Sequence, residues 1–259
     1  MNNILKNYFP LNLFCFLMFT GCSTSSQISS KQVAPARVSP PHDSRSTSNL
    51  AKMPETPTNW SEFQAAVILK TYRGKNTYIC SAVMLSKRLG ITAAHCIAKS
   101  DQNEVLIGNS LRDSNLTFFK VDQNSIRVHP KNNTTHSFSD SDLAVFELKE
   151  DSTVDRFVSI PELSDDQEFH FVMGQPLERV GFGLRGEENK RIWTKVFYEQ
   201  KDQREIYIRD AYSAIGDSGS PVFLRTGDTL SLIALHSTKI NSKQVATVYL
   251  PYFKKWIYQ

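Results

Sequence analysis

Short apolar runs separated by turn-forming residues fill the chain from residue 60 to its end. Many of these residues are β-branched or aromatic, and no apolar repeat of three to four residues is sustained, so the pattern favours an all-β fold. The predicted strands cover residues 65–72, 77–85, 90–93, 105–107, 118–121, 126–128, 143–148, 169–173, 178–182, 193–198, 205–209, 222–224, 230–236 and 245–250. A helix is predicted only over residues 251–259, where Pro251 suits a first turn and Tyr252, Trp256 and Ile257 share one face.

The first 22 residues follow a different pattern. The apolar run over residues 11–19 is too short to cross about 30 Å of hydrocarbon, which requires roughly 20 apolar residues, so it indicates an export signal. The two small residues before Cys22 resemble the lipobox of bacterial lipoproteins. This resemblance implies that a lipid on Cys22 anchors the protein to a membrane of the cell envelope.

Residues 23–59 are rich in serine and proline and contain few large apolar side chains. Such a segment cannot bury enough surface to offset the entropy of ordering, so we expect a disordered linker or propeptide. The folded domain is then expected over residues 60–259. Ser23, directly after the lipid site, resembles outer-membrane sorting, whereas ordinary signal cleavage would secrete the protein.

Composition and charge limit the possible partners. Of the 259 residues, 40% are hydrophobic and 22% are charged, which excludes wholesale disorder and collagen-like repeats. The formal net charge of +4 comes without a basic stripe, so no nucleic-acid partner is indicated. We expect a monomer without a cofactor or a metal.

Two of the four cysteines lie in the expected folded domain, because Cys15 falls in the export signal and Cys22 at the lipid site. In an exported protein, Cys80 and Cys96 are expected to form a disulfide. The alternative is a two-cysteine metal site, but no second ligand pair occurs nearby at suitable spacing.

Three short motifs contain residues suited to nucleophilic catalysis. The sequence Thr-Ala-Ala-His-Cys covers residues 92–96, and Gly-Asp-Ser-Gly-Ser-Pro covers residues 216–221. Between them, Asp142 directly precedes an apolar run, whereas the rival Asp140 is better interpreted as a solvated loop residue. Taken singly, each motif is more often a turn or a core feature than a catalytic one.

The chemistry of these residue types is complementary. A serine hydroxyl such as that of Ser218 is a poor nucleophile until a base removes its proton, and a histidine such as His95 can take that proton and return it. A carboxylate such as that of Asp142 can hold the imidazole in the required tautomer. Glycines beside the serine allow the N–H groups of Gly216 and Ser218 to converge on a developing oxyanion.

Together the three motifs resemble the trypsin-like, or chymotrypsin-fold, serine endopeptidases, in which histidine, aspartate and serine occur in this order. The resemblance covers about residues 64–259 and implies two six-stranded antiparallel barrels with the site between them. It implies that Ser218 attacks peptide bonds of protein or peptide substrates, with His95 as general base and acid. Asp142 would then orient His95, and the backbone of Gly216 and Ser218 would form the oxyanion hole.

The resemblance also places a specificity pocket, expected to be formed by Tyr212, Ser213, His236, Ser237 and Thr247. Tyr212 stands where trypsins carry an aspartate, and Thr247 where they carry a glycine. A histidine together with the hydroxyl of Ser213 is similar to the pocket of bacterial glutamyl endopeptidases, which implies a preference for an acidic or small residue. The alternatives are that His236 only packs, and that Asp210 confers basic specificity through a bulged loop.

Asp217 raises the question of activation. In trypsin-like enzymes the corresponding aspartate pairs with an α-amino group freed by cleavage. The region near residues 51–54 contains no Ile-Val-Gly-Gly sequence, and Pro54 suits such an insertion poorly. A buried Asp217 still requires a partner, which the sequence does not identify.

A second function class is a catalytically silent protease-like fold that binds protein or envelope components at the cell surface. Because all the catalytic positions are occupied by suitable residues, we expect an enzyme instead.

Overall fold

The computed structural model describes residues 59–132, 141–162 and 170–259. The predicted export signal, Cys22, the linker up to residue 58 and Asp140 lie outside the described residues. Among the described helices, none has the length and apolar character needed to cross a membrane.

The first half of the described chain forms a closed antiparallel barrel with strand order β1-β2-β3-β6-β5-β4. Its strands are β1 (Ala66–Arg73), β2 (Asn76–Met84), β3 (Leu89–Thr92), β4 (Gln102–Ile107), β5 (Thr117–Val128) and β6 (Ala144–Leu148). The second half closes a barrel in the order β10-β11-β14-β13-β12-β7. Its strands are β7 (Pro176–Gly181), β10 (Ile192–Lys201), β11 (Glu205–Arg209), β12 (Pro221–Thr226), β13 (Thr229–Lys239) and β14 (Gln244–Tyr249). Between β7 and β10, a small hairpin pairs β8 (Leu184–Arg185) with β9 (Glu188–Asn189).

Side chains alternate along the strands, and those that point inward fill the two barrels. In β4, Asn103 and Val105 are buried while Gln102 and Glu104 are more exposed, as expected for one face toward a core. One apolar cluster fills the first barrel and extends to side chains of the second, including Phe182 and Phe223. Phe63 links the two halves directly, since its ring centroid lies 5.5 Å from that of Phe223.

Three short helices complete the described chain. A 3-10 helix (Trp60–Phe63) begins after Asn59, whose side chain accepts a hydrogen bond from the Ser61 backbone. Helix α1 (Ala94–Ile97) is one turn long, and α2 (Leu250–Ile257) has a proline in its first turn.

The prediction of two six-stranded antiparallel barrels and a C-terminal helix is confirmed. Residues 118–121 and 126–128 form parts of one strand, β5, whose pairing with β6 shifts register between Asp122 and Arg127. The strand predicted over residues 169–173 is wrong in its described part. There the chain turns, and Val172 and Met173 are 70% and 80% exposed, so their apolar character does not reflect burial in a sheet.

Candidate active site

His95 is the second residue of α1, which begins directly after the extended residue Ala93. Its ring Nδ1 is 2.7 Å from Oδ2 of Asp142, and its backbone N–H donates to Oδ1 of the same carboxylate at 2.9 Å. Asp142 comes just before β6, which pairs with the strand that precedes α1. The closed barrel therefore joins two residues that are far apart in the sequence.

The carboxylate of Asp142 is buried and accepts a further hydrogen bond of 2.6 Å from the hydroxyl of Ser237. Burial alone raises the pKa of Asp142, but hydrogen bonds from the His95 ring, the Ser237 hydroxyl and the His95 backbone outweigh it. The pKa of Asp142 is thereby held below its ordinary value. The group is an anion at neutral pH and can orient the imidazole and stabilise its protonated form.

Ser218 lies in a turn near the end of the loop that connects β11 to β12. Its carbonyl accepts from the N–H of Ser81 at 2.8 Å, which ties this turn to the first barrel. Gly219 adopts φ +82°, and a Cβ there would lie 2.1 Å from the carbonyl oxygen of Ser81, so only glycine fits. The Ser218 hydroxyl donates to the carbonyl of Ser237 at 3.3 Å and is not hydrogen-bonded to His95.

The N–H groups of Gly216 and Ser218 have no acceptor among the described residues. The carbonyl of Ile215 accepts from Leu184 N at 2.7 Å, and the C=O and N–H of a trans peptide point in opposite directions. The N–H of Gly216 is therefore directed away from Leu184. Gly216 itself adopts φ +99°, a conformation that other residues rarely adopt.

This arrangement of histidine, carboxylate, serine and free backbone donors agrees with the comparison to known families. A family model described as Trypsin matches residues 52–257. The chain belongs to the trypsin family. It is accordingly a serine-type endopeptidase, a hydrolase of protein or peptide substrates. A search of curated proteins found no match.

A cavity of about 360 Å³ opens beside the serine of this trypsin-family protein. Its lining includes His95, Ser213, Ser218, His236, Ser237 and Lys239. Tyr212 and Thr247, which the sequence analysis assigned to the pocket, do not line it. Thr247 is buried and its hydroxyl donates to the Ile206 carbonyl inside the second barrel. Asp210 is also absent from the lining because its buried carboxylate pairs with Arg179 at 2.6 Å.

His236 lies at the buried wall of this cavity, 3% exposed, with Nε2 2.8 Å from the Ser213 hydroxyl. Burial lowers the pKa of His236 to about 4, and the nearby Arg179 cation acts in the same direction. The ring is thus neutral at pH 7. Lys239 was missed by the sequence analysis; its Nζ donates to the Ser213 carbonyl at 3.0 Å and provides a positive charge at the cavity.

A shift in strand pairing explains how adjacent residues reach two different places. His236 pairs with Thr247 and Thr238 with Ala246, so Ser237 is an extra residue in β13. Such a bulge re-aims side chains and is common beside active sites. His236 and Ser237 are consequently both buried, one in the pocket wall and the other against Asp142.

The partner of Asp217, left open by the sequence, is a pair of arginines. Arg185 Nη2 lies 2.6 Å from Oδ2, and Arg179 Nη1 lies 3.1 Å from Oδ1. The backbone N–H groups of Gly183 and Ala214 donate to the same carboxylate at 2.8 and 2.9 Å. Burial raises the pKa of Asp217, but the two cations outweigh it and lower that pKa to about 2.

Cys80 and Cys96 form the expected disulfide. With His95 they present three ligand-type atoms within 4.8 Å of one another. Because both sulfurs are consumed in the disulfide, this cluster offers no thiolate to a metal. The bond instead joins β2 to α1, next to the imidazole.

Proposed function

We propose that this endopeptidase cleaves peptide bonds through an acyl-enzyme formed on Ser218. His95 accepts the Ser218 proton during attack and returns it to the leaving amine, while the Asp142 carboxylate stabilises the imidazolium. The free N–H groups of Gly216 and Ser218 stabilise the negative oxygen of the tetrahedral intermediate. Attack requires the Ser218 hydroxyl to turn from the Ser237 carbonyl toward His95. The bond between His95 and the buried Asp142 is the observation that carries this assignment.

A serine-directed fluorophosphonate tests the nucleophile. Ser218→Ala should abolish labelling and peptidase activity, whereas Ser242→Ala, which changes an exposed serine in the turn before β14, should leave both unchanged. Labelling that survives in the Ser218→Ala protein would refute the assignment. Intact folding of the variant is verified by its thermal unfolding midpoint.

We also propose that the cavity selects an acidic residue before the scissile bond. Ser213 and His236 offer hydrogen-bonding groups, and Lys239 offers a cation. The Nδ1 atom of His236 is buried without a partner among the described residues. A bare lone pair costs less to leave unpaired than an N–H group, so the proton is best placed on Nε2, facing Ser213. The Ser213 hydroxyl is then free to donate to a substrate carboxylate.

In this proposal the charge that favours an acidic side chain comes from Lys239, because the buried His236 is neutral. A charge-assisted hydrogen bond contributes about 1.5–3 kcal/mol, which corresponds to roughly a tenfold preference or more. No acidic side chain lines the cavity among the described residues, so a basic substrate side chain would find no partner there.

Matched peptide substrates with Glu or Gln before the scissile bond test the preference, since they differ in charge and hardly in shape. We expect the wild-type kcat/KM to be higher for Glu, and the Glu/Gln ratio to fall about tenfold in Lys239→Met. Lys243→Met, an exposed lysine in the following turn, serves as the control. Faster cleavage after Arg than after Glu would contradict the proposal.

The sequence supports a third proposal, export and lipid anchoring at Cys22, with residues 1–22 as signal and residues 23–59 as tether. A disulfide in the catalytic domain suits an oxidising compartment outside the cytoplasm. Mass spectrometry of the mature amino terminus should find a lipidated Cys22. A terminus elsewhere and free of lipid would indicate a secreted protein instead.

A further inference from the structure

Asp217 immediately precedes Ser218 in the chain, and its carboxylate is shut off from solvent. Oδ1 accepts from the Gly183 N–H and lies 3.1 Å from Arg179 Nη1, and Oδ2 accepts from the Ala214 N–H and from Arg185. The side chain is completely buried, and a Cβ on Gly183 would lie 2.7 Å from its carboxyl carbon. Two arginines and two backbone N–H groups surround the carboxylate, so another cation, such as a terminal amino group, could pair with it only by displacing one of them.

Arg185 joins this carboxylate to a second point of the same loop. Its Nη2 donates to the carbonyl of Tyr212 at 2.5 Å as well as to Asp217 at 2.6 Å. One guanidinium therefore connects the beginning and the end of the loop over residues 212–217, which leads into the nucleophile. The terminal Nη2 group carries two N–H donors, one for each of these acceptors.

The hairpin that carries Arg185 contacts this loop at two further positions. Leu184 N–H donates to the Ile215 carbonyl and so directs the Gly216 N–H to the opposite side. Asn189, at the other end of the hairpin, donates to the Phe182 carbonyl, and its Nδ2 would lie 2.9 Å from a Cβ on Gly216. The hairpin thus fixes the peptide that supplies one of the two oxyanion donors.

We propose that Arg185 is a positioning residue that holds the oxyanion loop in its active shape, so that activity requires no amino group released by proteolysis. This inference rests on the proposed role of Ser218 and the neighbouring N–H groups. Arg185 acts through Asp217 and Tyr212 and touches no reacting atom. The enzyme is therefore active whatever residue begins its chain.

Arg185 is a better test position than Arg179. Arg179 is fully buried and also pairs with Asp210, so its replacement would leave the buried Asp210 without its cation and Asp217 with only one, and would endanger folding. The Arg185 side chain is 17% exposed and lies on a surface hairpin, where truncation leaves little cavity. Glu187, exposed at the tip of the same hairpin, gives a matched control.

The first experiment measures kcat and KM for Arg185→Ala, Arg185→Lys and Glu187→Ala. We expect kcat to fall about 10²-fold in Arg185→Ala, comparable to loss of an oxyanion donor, while Glu187→Ala stays at the wild-type value. Arg185→Lys should be intermediate, because it keeps the charge and the donors but on a shorter side chain that reaches the two acceptors less well. Added guanidinium ion at millimolar concentration should raise kcat of the alanine variant and not that of wild type.

Unchanged kcat in Arg185→Ala, with Ser218 labelled normally, would refute the positioning role alone. If kcat falls only in proportion to the fraction of folded protein, as measured by near-UV circular dichroism, the role is structural and the inference is equally refuted. Labelling of the Ser218→Ala protein would instead refute the proposed function, so the two failures are distinguishable.

The second experiment addresses the amino terminus of the full chain. Fluorophosphonate-labelled protein is analysed by mass spectrometry, and its labelling rate is compared before and after proteolytic removal of the segment that precedes residue 59. We expect the untrimmed protein to react at the same rate as the trimmed protein. An increase of tenfold or more on trimming would show that a new terminus is required and would overturn the inference.

Discussion

Arg179 is a fully buried cation between two buried carboxylates, those of Asp210 and Asp217. Desolvation lowers the pKa of this guanidinium, but the two anions outweigh it and raise that pKa above its ordinary value. Breaking such a buried pair by removing one partner costs about 3–5 kcal/mol, because a charge is left uncompensated. By pairing with Asp210 and with Asp217, Arg179 fixes both ends of the segment that carries Ser213 and leads to Ser218.

His236 makes stability depend on pH. Its pKa is about 4 in the folded protein, below the ordinary value of 6.5, so the unfolded chain binds the additional proton between these pH values. Its contribution is fully present above pH 6.5 and is lost as the pH falls toward 4. Over this window we expect the free energy of unfolding to decrease by about 3 kcal/mol.

Urea unfolding at pH 7, 5.5 and 4 measures this dependence. His236→Gln should remove it while keeping a donor toward Ser213, and His170→Gln, an exposed histidine, should retain it. If the free energy of unfolding fell equally with pH in wild type and in His236→Gln, the acid sensitivity could not be assigned to this ring.

At the scale of elements, the disulfide between Cys80 and Cys96 joins β2 to α1. Closing a loop of about 15 residues stabilises the folded state by about 3 kcal/mol in the chain-entropy description. The double variant Cys80→Ala, Cys96→Ala should therefore unfold at lower urea, with a loss of about that size. Wild type measured in a reductant should behave like the double variant, and equal midpoints without a reductant would contradict the prediction.

Apolar runs between turn residues predicted most of the strands, and the two cysteines of an exported domain predicted the disulfide. The two barrels and the meeting of His95 with Asp142 were implied by the resemblance to trypsin-like endopeptidases, which the three motifs carry. Arg179 and Lys239 were missed because their roles depend on partners that lie far away in the sequence, in the loop between β11 and β12. The signal available for Arg179 was Asp217, since a buried carboxylate requires a cation. Which cation pairs with it depends on how β7, the strand that carries Arg179, pairs with its neighbours in the second barrel.

Several elements were missed or misassigned for physical reasons. Helix α1 is a single turn, too short for a period to be visible, and the β8–β9 hairpin is built largely from polar residues. The turn near Val172 has the apolar composition of a strand. The side chains of Val172 and Met173 nevertheless face solvent, while Phe171 stacks on Tyr198. The sequence pattern alone does not separate exposed apolar residues from buried ones.

At the scale of the whole molecule, the end of the chain returns to its first barrel. Phe253 and Ile257 of α2 are buried in the apolar cluster of that barrel. Arg127 of β5 donates to the carbonyls of Trp256 and Ile257 at 3.1 and 2.9 Å and lies over the Trp256 ring. These carbonyls have no partner inside the helix, so Arg127 satisfies the helix terminus.

Arg127→Met keeps most of the apolar contact and removes both hydrogen bonds. We expect the free energy of unfolding to fall by about 1.5–3 kcal/mol, with faster hydrogen exchange in α2 than elsewhere. Arg112→Met, an exposed arginine, is the control and should change neither. Exchange that accelerates equally throughout the protein would argue against a local role for this contact.

Efforts to re-engineer substrate choice should leave the bulge at Ser237 intact. The Ser237 carbonyl accepts a hydrogen bond from the Ser218 hydroxyl, and the Ser237 hydroxyl donates one to Asp142. The neighbouring His236 lines the pocket. Any insertion or deletion in β13 would move recognition and turnover together. Variant collections that change only side chains at positions 213 and 239 can separate the two.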